Sequence, residues 1–140
     1  MHLRASGPVA PDVAWQRYAR FELWPTWSPQ IRRVEVAATE LAPGVRGVVR
    51  GPLGLAVAFT VDAVDAGGVG DDGGPRARTW SWTVQPIGPV RLGVRLHLDH
   101  AVLATPDGGS LTTLDVSGPT VVVMAYAPLA LVALRRLVSD

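Results

Sequence analysis

Apolar and polar residues alternate along Val90–Ala104. Val90, Leu92, Val94, Leu96, Leu98, His100, Val102 and Ala104 fall on one side, and Arg91, Gly93, Arg95, His97, Asp99, Ala101 and Leu103 on the other. A period of two is the pattern of a half-buried strand. Fully extended, the run would span about 50 Å, longer than ordinary strands. The pattern therefore predicts a curved strand, with Gly93 as the place to bend. The apolar face of a curved strand encloses an interior. His100 is the polar exception on that face, so the reading makes it a wall residue of a hydrophobic cavity.

The other segments arrange themselves around this strand. Met1–Pro8 reads as a short edge strand. Pro11-Asp12 opens a helix carried by Val13, Ala14, Arg17, Tyr18 and Phe21 to about Leu23. Trp24-Pro25-Thr26-Trp27-Ser28-Pro29 has two prolines four apart, which breaks regular helix into a compact turn held by its aromatics. Strands follow over Ile31–Ala38, Val45–Arg50 and Leu55–Val64, the last with Leu55, Val57, Phe59, Val61 and Ala63 on one face. Thr79–Val84 places Trp80, Trp82 and Val84 together, and Leu111–Ser117 is the last strand. The loops are Ala66–Pro75, Gln85–Pro89 and Thr105–Ser110, the last centred on Asp-Gly. From Thr120 to Val138 the stripe Val123, Ala127, Ala130, Leu131, Leu134 and Leu137 has helical spacing, kinked at Pro128. Short loops make the sheet antiparallel, and the terminal helix is the element large enough to cover it.

Composition narrows the function. The chain has 140 residues, suiting one domain over 1–140, and a formal charge of +1 gives no overall drive toward nucleic acid. All thirteen basic residues are arginine, which removes Schiff-base chemistry and the phosphate-loop lysine. Without cysteine there is no thiolate nucleophile or thiolate metal site. The N-terminus lacks the apolar core of a signal peptide. The apolar run Val121–Leu134 is 14 residues, short of the ~20 a membrane span requires, so no span is expected and a cytoplasmic location is the default.

Most catalytic patterns are missing. The glycine-rich stretch Ala66–Pro75 has no phosphate-cradle spacing and carries two aspartates, so it reads as a loop. His97 and His100 lie three apart on a strand and face opposite ways, so they do not chelate a metal; Asp62 and Asp65 fail as a carboxylate pair for the same reason. No metal or cofactor is expected. Arg91 and Arg95 share an outer face and read as a solvated sheet surface. Strand parity instead assembles Phe59, Trp80, Trp82, Leu96, Leu98 and His100 as pocket-facing residues, joined by Met124 and Tyr126 from the last helix and Tyr18 from the first. Arg78 shares a face with Trp80 and is placed to hold a carboxylate at the pocket mouth, with a solvated arginine as the competing reading. A desolvated His100 would be neutral near pH 7 and could act as general base. The competing reading is a buried structural histidine hydrogen-bonded to tyrosine or backbone.

Several local features resemble the SRPBCC superfamily, in its bacterial cyclase/dehydrase-like branch. They are Trp24–Pro29 after the first helix, Pro43-Gly44 before a strand, Trp80-Ser81-Trp82, His100-Ala101-Val102, Asp107-Gly108-Gly109, and Gly118-Pro119 ahead of the final helix. The resemblance extends to the order of elements along almost the whole chain. It implies an α+β helix-grip fold: a curved antiparallel sheet of about seven strands around a long C-terminal helix, with a short helical segment after the first strand. It also implies a cavity between sheet and helix for a lipid, sterol or aromatic polyketide. Binding of such a ligand is the leading expectation. A cyclase or dehydratase using His100 as base is the alternative, and a filled core serving protein contacts is the third. A homodimer stays open.

Overall fold

The computed structural model describes all residues, 1–140. A first strand, β1 (His2–Gly7), leads into helix α1 (Pro11–Ala19). Pro11 occupies the first turn, where its missing N–H costs nothing, and Asp12 complements the helix dipole. The helix ends at Ala19, four residues before Leu23, where its sequence pattern runs out. Arg20 turns extended and bridges Glu40, Phe21–Leu23 forms a tight helical turn, and α2 is only Trp24–Trp27. Pro25 sits in the first turn of α2, and Ser28 leaves it in extended backbone before Pro29.

The remaining elements are β2 (Arg33–Val36), β3 (Arg46–Arg50), β4 (Ala56–Asp65), the small hairpin β5 (Gly68–Val69) and β6 (Pro75–Arg76), β7 (Arg78–Gly88), β8 (Leu96–Ala104), β9 (Ser110–Ser117) and α3 (Thr120–Val138). Seven strands form one antiparallel sheet in the order β1-β9-β8-β7-β4-β3-β2. With α3 against it, this is the helix-grip arrangement. The predicted alternation of β8 and β7 holds: Leu96, Leu98, His100 and Val102, with Trp80, Trp82 and Val84, are all buried. In β4 the alternation breaks at a bulge between Val61 and Ala63, which turns Ala63 outward and Val64 inward.

The long strand expected over Val90–Ala104 is shorter than its pattern. β8 begins at Leu96, and Val90–Arg95 is loop, while β7 runs on to Gly88. A strand lasts only where a neighbour takes its backbone hydrogen bonds. The ladder with β7 ends at Val84–Leu96 and that with β9 at His97–Ser117. Beyond it, Gly118 sits so close to Leu96 that a Cβ there would lie 2.4 Å from its Cδ2. Alternation without a partner leaves a loop.

Helix α3 buries Val123, Ala130, Ala133, Leu134, Leu137 and Val138 against the sheet. Its end is held by Arg17 of α1, whose guanidinium donates to the carbonyls of Leu137 and Ser139, both at 2.7 Å, and of Arg136 at 3.2 Å. β1 passes directly beneath it: a Cβ on Gly7 would lie 2.2 Å from the Val138 carbonyl oxygen, so only glycine fits there. The helix has 19 residues, and its most apolar 18-residue window has a mean hydropathy of 1.9, long and apolar enough to span a membrane by those measures, yet it serves here as a core helix of the fold. Only 33% of its most apolar window is buried, so one side remains bare.

Candidate functional site

Two different environments share the concave face of the sheet. Toward α1 and α2 the space is filled by rings. Trp24 is fully buried, packed at 5.1–6.1 Å from Trp27, Phe59, Trp80 and Trp82. Its indole N–H donates to the Tyr18 carbonyl at 2.8 Å, and that of Trp27 to the Arg17 carbonyl at 2.7 Å. Edge-on and tilted pairs of this kind add about 0.5–1.5 kcal/mol each beyond their buried area. Tyr18, Phe59 and Trp80, expected to line a pocket, are therefore packed core.

His100 belongs to the same filled region. Its ring stacks on Trp80 with centroids 4.4 Å apart and planes 6° from parallel. Both nitrogens are engaged, and the partners fix the proton. Trp82 Nε1 has only a hydrogen to give, and it donates to His100 Nε2 at 3.1 Å, so Nε2 is the acceptor. Nδ1 then carries the hydrogen and donates to the Tyr18 hydroxyl at 3.2 Å. Tyr18 donates in turn to Thr112 Oγ1 at 2.9 Å, and Thr112 to the Ala101 carbonyl at 3.1 Å. Burial lowers the His100 pKa to about 3 and raises that of Tyr18. The lone pair that a general base needs is occupied, and protonating it would break the Trp82 bond inside an apolar core.

Toward the start of α3 the rings give out and a groove opens. It has a volume of about 300 Å³ and is lined by fourteen residues, none charged. Its floor is Trp82, Val84, Leu96 and Leu98 of β7 and β8. Ile31, Val49, Leu55, Val57 and Pro86 close one side, and Val122, Ala125, Tyr126 and Leu129 of α3 the other. Of the ten residues expected to contact ligand, four line this groove: Trp82, Leu96, Leu98 and Tyr126. His100 lies behind Trp82. Met124 is on the exposed outer side of α3. Arg78 pairs with Asp12 of α1 at the opposite end of the sheet.

The groove's polar groups are few. Burial pushes the Tyr126 hydroxyl up to about 12, so it stays protonated. Gln30 borders the groove, and its Oε1 is buried without a hydrogen-bond partner. Gln30, Val122, Ala125 and Leu129 are among the ten lining residues that strand parity did not bring forward. The clue was available in α3, where Val122, Ala125, Tyr126 and Leu129 recur at intervals of three, one and three, along a second apolar stripe beside the core-facing one.

Residues 4–126 match the family described as polyketide cyclase / dehydrase and lipid transport. The chain belongs to that family. This places it in the SRPBCC superfamily. Among solved structures it is similar to Ara h 8.0201, with TM-score 0.72, 17% identity, and coverage of 98% of this chain and 93% of that one. A protein of Nitrosospira multiformis gives TM-score 0.72 at 15% identity, covering 99% and 92%. A hypothetical protein of Helicobacter pylori gives 0.70 at 13%, covering 99% and 83%. At such identities the likeness establishes the helix-grip fold alone. No curated protein matches by sequence.

Proposed function

We propose that this family member binds an uncharged, largely apolar small molecule in the groove between the sheet and α3. The observation that carries this reading is a groove of about 300 Å³ whose lining contains no charged residue. The volume lies at the lower end for small-molecule sites, which favours a compact ring system of the aromatic polyketide kind over a sterol or long acyl chain. Trp82 offers a face for such a ring, and Gln30 and Tyr126 offer hydrogen bonds to a hydroxyl or carbonyl on it. The family's description, which joins cyclase chemistry with lipid transport, supports a hydrophobic ligand. Binding without turnover is the preferred form of the reading, because His100 has no free lone pair and does not line the groove.

The test compares two ligands sharing one ring system, naphthol and naphthoate, titrated by tryptophan fluorescence at neutral pH. A carboxylate in this groove would lose water and gain no cation, so naphthol should bind about tenfold tighter or more. Equal affinity, or tighter naphthoate, would overturn the uncharged-ligand reading.

A further inference from the structure

Three segments meet at the end of the sheet where the groove opens. The turn Pro52–Gly54 leads into β4, whose Ala56 pairs with Gly88 at the end of β7, and Gly88 sits against the Gly54 carbonyl. The loop Pro89–Arg95 continues from there to β8. Gly118, which leads into α3, sits against Leu96 and the Arg95 carbonyl. Each segment holds large apolar side chains in water: Leu53 is 95% exposed, Val121 82%, and Val90, Leu92, Met124 and Leu129 are exposed as well. Leu53 stands at a turn tip with φ 57, a conformation that costs a leucine energy and presents it outward. Exposed apolar side chains gathered on neighbouring segments at one end of a monomer mark an interaction surface.

The charges around the rim choose among partners. Arg91 and Arg95 are exposed and form no ion pair. There is no Asp or Glu within residues 41–61, 73–98 or 116–139, which include all three rim segments. A symmetric contact between two copies would set this patch against itself, arginine facing arginine, with Asp62 on the outer sheet face beside Arg95 as a neighbouring carboxylate. Apolar tips interleaved with unpaired arginines fit the boundary between acyl chains and anionic headgroups. We propose that this rim docks on an anionic lipid bilayer, so that the groove exchanges its ligand with the membrane without release into water. The role given to docking rests on the groove reading; the docking itself rests on the rim.

Co-sedimentation with vesicles of phosphatidylcholine, alone or with about a third phosphatidylglycerol, tests it. The intact protein should bind the anionic vesicles roughly thirtyfold more tightly, each arginine contributing about a factor of five, and high salt should remove the difference. Arg91→Gln with Arg95→Gln should abolish that preference. Val121→Asp with Met124→Asp, at exposed positions, should weaken binding to both vesicle types. Neither pair lines the groove, so naphthol affinity should be unchanged in both. Failure to sediment with either vesicle, indifference to these substitutions, or a dimer that Val121→Asp with Met124→Asp dissociates would overturn the docking proposal. Vesicle binding without naphthol binding would support docking and refute the groove reading instead.

Discussion

His100→Ala is expected to destabilise the fold by about 4 kcal/mol while leaving groove binding untouched. The loss combines a cavity beside Trp80, a stranded Trp82 indole N–H, and the loss of the donor to the Tyr18 hydroxyl, which keeps its bond to Thr112. Domains of this kind have about 5–15 kcal/mol in total, so a milder change is needed alongside. His100→Gln keeps an acceptor and a donor and should fold. It should also flatten the pH dependence. The unfolded imidazole titrates near 6.5, whereas the folded one stays neutral down to about 3. As pH falls through 6.5 the unfolded chain takes up a proton that the native state refuses. The stability contributed by neutral His100 is therefore complete above that pH and drains away toward 3. Between about pH 7.5 and about pH 5 the loss should be about 2 kcal/mol, read from urea midpoints. Glu35, Asp65 and Asp107, whose pKa values lie below the ordinary carboxylate range, act at lower pH and leave this window clear. In His100→Gln the slope should vanish and naphthol affinity should stay within about twofold. A retained slope would assign the proton elsewhere, and a large loss of affinity would bring His100 back into contact with ligand.

Ala125→Trp is expected to close the groove from the α3 side. Ala125 borders it and is exposed at its own position, so an indole can enter without displacing core. A ligand would then have to expel that indole and forfeit its burial, about 2 kcal/mol, which is about thirtyfold in affinity. A neutral naphthylamine dye, bright only in apolar surroundings, reports the loss directly. The melting temperature should hold or rise, because the variant buries more apolar surface. Undiminished dye binding would place the site elsewhere.

The fold was legible because its signals were local and consistent. Alternation in Trp80–Val84 and Leu96–Val102, the proline breaks around Trp24, and the apolar stripe of Thr120–Val138 each named an element correctly. The misplaced start of β8 shows the limit of such signals. Val90–Arg95 alternates as well as any strand, but pairing depends on where β9 ends, and a single segment's pattern does not contain that. The site was half legible for a similar reason. Parity correctly said that Trp80, Trp82, Leu96, Leu98 and His100 face inward. It could not say which of them meet a groove and which meet Tyr18, Trp24 and Trp27 arriving from the other end of the chain. Those rings decide the division of the interior, and they turn His100 from a candidate base into the centre of a saturated hydrogen-bond chain.

Methyl NMR of the protein titrated with naphthol locates the bound ring by the methyls it touches. Shifts should concentrate on Val57, Leu96, Leu98, Val122 and Leu129, the methyls around the groove, while Val102 and Leu114 beside the aromatic core stay still. Shifts centred on Val102 and Leu114, or none at saturating naphthol, would contradict binding in the groove.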